Sequence, residues 1–121
     1  MDQAAKDAWR SVDKALSEGS FAEAMRLALP WADRGFGWAE LCVGSLYQCG
    51  LGVPRDEVVA VEFLRRAAGR GYGGAWHALG VIYETGGGGV EQDPGRAQVC
   101  YRKAAELGYF PGKRVELDRP E

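Results

Sequence analysis

The chain repeats itself, and nothing else about it restricts the possible folds so strongly. Residues 37–72 align with 73–109, once a single extra residue is allowed at Gly89, giving 14 identical pairs in 36. The pairs include Ala39 with Ala75, Gly44 with Gly80, Tyr47 with Tyr83, Asp56 with Asp93, Ala67-Ala68 with Ala104-Ala105, and Gly71-Tyr72 with Gly108-Tyr109. A period of this length means that one supersecondary unit is stacked on copies of itself, because a single unit cannot bury its own apolar face.

Each unit carries apolar or small residues at helical spacing twice over, as Ala39, Cys42, Val43, Leu46, Tyr47 and then Ala60, Phe63, Leu64, Ala67, Ala68. The second unit repeats both series at Ala75, Ala78, Leu79, Ile82, Tyr83 and Ala97, Cys100, Tyr101, Ala104, Ala105, so each unit is expected to be two amphipathic helices. The 18 glycines, about 15% of the chain and roughly twice ordinary usage, then find positions. Gly50 and Gly86 are expected to stop the first helix and Gly71 and Gly108 the second, while Gly44 and Gly80 let a neighbouring helix approach closely. Asp56 and Asp93 read as N-caps, with Pro94 at a first helical position.

A third series lies upstream at Ala24, Leu27, Ala28, Trp31, Ala32, opened by a capping box at Ser20-Phe21-Ala22-Glu23 and expected to kink or break at Pro30. Its partner helix spans 4–17, with Ala5, Ala8, Trp9, Val12 and Leu16 on one side. The expected organisation is therefore one all-α domain over 1–111 made of helix pairs 3–35, 38–71 and 75–108. Residues 112–121 are left as a short cap or a tail.

The unit reads Ala39, Val43-Gly44, Tyr47, Gly50-Leu51-Gly52-Val53, Asp56, Ala60, Ala67-Ala68, Gly71-Tyr72, and again Ala75, Leu79-Gly80, Tyr83, Gly86, Gly88, Val90, Asp93, Ala97, Ala104-Ala105, Gly108-Tyr109. This pattern resembles the Sel-1-like repeat family, relatives of the tetratricopeptide repeats. The first pair is a shorter-turned variant, the four-glycine run Gly86 to Gly89 is longer by one residue than the matching turn, and no third full motif follows Tyr109. The resemblance implies a right-handed α-solenoid whose members are adaptors and scaffolds for proteins or peptides, not enzymes.

In such a solenoid the first helix of each pair lines the concave side. Its positions outside the packing series are Trp38, Leu41, Ser45 and Gln48 in one unit and Gly74, His77, Val81 and Glu84 in the next, with Trp76 and Asp13 beside them. Trp38, Leu41, Ser45, Gln48, Trp76, His77, Val81 and Glu84 are the expected partner-binding residues. For Trp38 two roles stay open: an aromatic anchor in the groove, or core packing against Trp31 of the preceding pair.

Other chemistries find little support. Fifteen Lys and Arg against seventeen Asp and Glu leave a net charge of −2, with no basic surplus for a phosphate backbone. A catalytic thiol needs a base within reach, but Cys42 aligns with Ala78 and Cys100 with Phe63, both packing positions, and only Cys49 reads as exposed. Zinc needs Cys or His at short spacing, and none occurs, so no metal or cofactor is expected. The Gly86 to Gly89 run lacks the Gly-Lys-Ser/Thr of a phosphate loop. The opening Met1-Asp2-Gln3-Ala4-Ala5-Lys6-Asp7 is unlike a secretory leader, three cysteines suit a reducing compartment, and no apolar run spans a membrane, so a cytoplasmic protein is expected. The expected function is protein or peptide binding as an adaptor. The alternatives are an immunity protein that blocks a cognate toxin and, more remotely, a thiol- or metal-dependent regulator built on Cys49 and His77.

Overall fold

A computed structural model describes residues 2–110. Six helices follow one another: α1 (Gln3–Ser17), α2 (Phe21–Asp33), α3 (Gly37–Cys49), α4 (Glu57–Gly69), α5 (Gly73–Thr85) and α6 (Pro94–Glu106). No strand forms among the described residues beyond an isolated bridge between Gly87 and Val90. Each helix packs chiefly on its neighbours in sequence, with α3 also touching α5, which is an all-α solenoid of three helix pairs. The expected cap or tail at 112–121 lies outside the described residues.

The helix ends follow local chemistry. The carboxylates of Asp56 and Asp93 accept hydrogen bonds from the amides of Val59 (3.1 Å) and Arg96 (3.0 Å), and Pro94 opens α6 where its missing N–H costs nothing. Asp2 caps α1 in the same way through the amide of Ala5. Two expectations fail. The Ser20 side chain makes no capping bond, and Glu23 pairs with Arg26 instead of reaching back to the cap. Pro30 does not break α2, which runs on to Asp33, because the ring lies in the last turn on the exposed side. There the carbonyl it leaves unpaired is within reach of water.

Two apolar clusters run along the stack. One holds Val12, Ala15, Ala24, Ala28, Trp38, Val43 and Leu46; the other holds Ala60, Leu64, Ala75, Leu79, Ile82 and Cys100, and Tyr47 and Tyr72 pack against both. Gly44 and Gly80 occupy equivalent close contacts: a Cβ on Gly44 would meet Leu64 at 2.8 Å, and one on Gly80 would meet Tyr101 at 2.7 Å. Repeat equivalence ends at the edge of the stack. Ala68 is 4% exposed beneath the following pair, whereas its counterpart Ala105, expected in the core, is exposed on α6, which no further described helix covers.

The long turns lock each unit to the one before. Amides of Asp56 and Asp93 donate to the carbonyls of Tyr47 (3.0 Å) and Tyr83 (2.8 Å), closing equivalent loops. Gly52, at φ +76°, lies on the backbone of Phe21 and Ala22 where α2 begins; its counterpart Gly88, at φ +59°, lies on Glu57 where α4 begins.

Candidate functional site

The first helices of the first two pairs leave a trough between them. α1 contributes Trp9, Val12, Asp13 and Leu16, α3 contributes Trp38, Leu41, Cys42, Ser45 and Cys49, and Phe21 and Leu51 lie at its edge. The cavity is about 340 Å³, at the small end of the range for ligand sites. Its walls are apolar, and Asp13, Ser45 and Cys49 supply a carboxylate, a hydroxyl and a thiol. Leu51 is 37% exposed at its mouth, an exposure that water penalises and a partner side chain relieves.

Three of the expected residues meet here: Trp38, Leu41 and Ser45, together with Asp13. Trp38 is a wall and not a free anchor. It is 4% exposed and lies 6.4 Å from the Trp31 ring, so it belongs to the core between pairs. Its indole Nε1 has no acceptor within hydrogen-bond distance among the described residues, and buried indole N–H groups ordinarily find one. Truncating Trp38 therefore damages the core as well as the trough.

The other expected residues are placed elsewhere. Gln48 donates to the carbonyl of Ala78 at 3.4 Å and so ties α3 to α5. His77 lies between Tyr101 and Tyr109, 5.3 Å from each ring centre, and Glu84 hydrogen-bonds Tyr101, whose hydroxyl is pushed above its ordinary pKa first by burial and then by this bond. Val81 is half-buried outside the trough. Trp76 faces the opposite side, under Lys103 of α6.

The sequence pattern places Trp9, Val12 and Leu16 together on one side of the first helix and gives Leu51 no partner-binding role. Their helical spacing was visible, but the one-sided covering of α1 was not. It also missed Glu40, a carboxylate 1% exposed that accepts from the Nε of Arg70 at 2.6 Å and joins the start of α3 to the end of α4. In the next unit the counterparts are Trp76 and Leu107, so comparing the two copies gives no charged pair to look for.

The thiols differ sharply. Burial pushes Cys42 up from 9.0 to about 12 and raises Cys100 as well, while Cys49 is exposed at the trough. Among the described residues no group of three His, Cys, Asp or Glu side chains is placed to hold a metal ion, and no helix is long and apolar enough to cross a membrane.

The Sel1 repeat pattern matches twice, at residues 39–72 and 77–109. Among solved structures, the chain is similar to a Sel1 repeat protein from Oxalobacter formigenes at 38% identity and a TM-score of 0.66, over 72% of this chain and 66% of that one. It is also similar to c5321, a protective antigen present in uropathogenic Escherichia coli strains and displaying an SLR fold, at 33% identity and a TM-score of 0.67, over 73% of this chain and 19% of that one. The chain thus spans just under two thirds of the first and a small part of the second. No functionally curated protein matches it.

Proposed function

Because the chain belongs to the Sel1 repeat family, a family of protein-interaction modules, we propose that it is a non-catalytic adaptor that holds a segment of a partner protein in the trough between α1 and α3. The observation that carries this reading is the trough itself: an apolar cavity of about 340 Å³ on the first-helix side, with Asp13 and Ser45 in its lining. Such a lining selects a segment presenting a large apolar side chain beside a basic or N–H-donating one, since burial supplies the affinity and the carboxylate the orientation. The first-helix side is the concave side of a solenoid, so the partner runs along the inside of the stack. The thiols do not contribute to catalysis on this reading: Cys42 stays protonated at neutral pH, and among the described residues no histidine lines the trough beside Cys49.

The test is selection of binders from a random peptide library on the wild-type chain, followed by fluorescence polarisation with the selected peptides. Ser45→Trp fills the trough, Asp13→Lys reverses its carboxylate, and circular dichroism confirms that both variants remain helical. Loss of binding of at least tenfold in each is expected. Peptides that bind both variants as well as the wild type refute the trough as the site.

A further inference from the structure

A second groove opens on the other side of the stack, between α4 and α6, with α5 as its floor. Its cavity is about 240 Å³, and three cations converge on it: Arg65 from α4 and Arg96 and Lys103 from α6. Among the described residues no carboxylate lines it. The cations are held by aromatic groups. Arg65 donates from Nη2 to the hydroxyl of Tyr83 at 2.9 Å, the Arg96 guanidinium sits 5.1 Å from the centre of the same ring, and the Lys103 ammonium lies 5.4 Å from that of Trp76. Among the described residues the one carboxylate within 4.0 Å of any of them is Asp93, 3.9 Å from Arg96 through one oxygen and capping α6 through the other. Val99 is 42% exposed at the rim.

The preceding unit shows that the repeat does not require this arrangement. At the positions of Trp76, Arg96 and Val99 it carries Glu40, Val59 and Glu62, and its two carboxylates neutralise Arg70 and Arg66. The third pair has lost both acids, gained an arginine at Arg96 and kept a cation at Lys103, where the preceding unit has Arg66, on a chain whose net charge is negative. Cations held against aromatic groups, with Asp93 beside Arg96 as their one acid within 4.0 Å among the described residues, match carboxylates supplied from outside, and the guanidinium fork matches them in pairs.

We propose that the α4–α6 groove is a second binding site, independent of the trough, that takes an acidic peptide segment of a partner protein. Glutamate or aspartate side chains of the segment meet Arg65, Arg96 and Lys103, and an intervening apolar side chain lies on Trp76 and Val99. The test is a polarisation titration with a fluorescein-labelled peptide of alternating Glu-Glu-Leu triplets, against the same peptide with Gln for Glu. The wild type binds the acidic peptide, binding weakens as salt rises, and the Gln peptide binds at least tenfold more weakly. Arg65→Glu/Arg96→Glu and, separately, Lys103→Glu lose binding at least tenfold and fivefold. Lys14→Glu/Arg102→Glu, which makes the same change in net charge outside the groove, stays within twofold. Ser45→Trp, which fills the trough, leaves this binding unchanged, so failure of one site is distinguishable from failure of the other. No binding of the acidic peptide, equal binding of the Gln peptide, equal loss in both double variants, or equal competition by a single-stranded oligonucleotide each overturns the proposal.

Discussion

Gly52 is where the fold makes its tightest demand on a single residue, and Gly52→Ala measures it. Two costs add. The first is backbone conformation: at φ +76° an alanine costs roughly 1–2 kcal/mol, offset by about 0.4–1 kcal/mol from its stiffer unfolded chain. The second is space. The new Cβ would stand 2.5 Å from the carbonyl carbon of Phe21 and 2.6 Å from the amide nitrogen of Ala22, where unstrained carbon contacts are about 3.5–4.0 Å. Those atoms are the backbone that opens α2, so relief requires moving a helix end or the whole turn, an overpacking cost of about 1–3 kcal/mol. Gly71 separates the two costs, since it has φ +95° and nothing within 4 Å of a Cβ. The expected losses are about 1 kcal/mol for Gly71→Ala and about 3 kcal/mol for Gly52→Ala. In a chain of this length they correspond to roughly 4 °C and 12 °C in Tm. Gly88→Ala falls between them, because its Cβ meets the Glu57 side chain at 3.1 Å and a side chain yields more easily than backbone. Thermal and urea unfolding followed at 222 nm reads all three. If Gly52→Ala costs no more than Gly71→Ala, the contact between the turn and the preceding unit is not what fixes the stack.

Other outcomes are specific enough to check together. Arg70→Ala leaves the Glu40 carboxylate buried without its cation and is expected to cost about 2–3 kcal/mol, below a fully buried pair because the arginine side chain is 47% exposed. The double variant Glu40→Leu/Arg70→Leu, which imitates the apolar counterparts Trp76 and Leu107, recovers part of that loss in the same urea titration. A maleimide at pH 7.5 adds once to the folded chain, at Cys49, and three times after denaturation, counted by mass spectrometry. Folding raises Cys42 from 9.0 to about 12, so between those pH values the folded chain keeps a proton that the unfolded chain has released. Stability is therefore whole below pH 9 and falls above it, by at most about 1.4 kcal/mol per unit. Cys42→Ala should flatten that fall in unfolding curves between pH 8 and 11.

The sequence by itself determined the unit: its length, its two helices, the caps at Asp56 and Asp93 and the close contacts at Gly44 and Gly80. Each of these depends on residues a few positions apart, or on a motif printed twice, and helical periodicity and capping chemistry are local. Only the tertiary structure decided which side of each helix meets a neighbour. Ala68 and Ala105 are the same residue in the same motif, yet one is buried and the other exposed, because a pair follows the first and none of the described helices follows the second. For the same reason Trp38 became a wall of the trough, Gln48 a tie to α5, and His77 a neighbour of Tyr101 and Tyr109. The buried pair of Glu40 and Arg70 joins residues 30 apart, and Arg65, Arg96 and Lys103 come together from two helices over a third. Contacts between turns of one helix are written in the spacing of the chain; contacts between units depend on how the units stack, and that geometry has no period in the sequence.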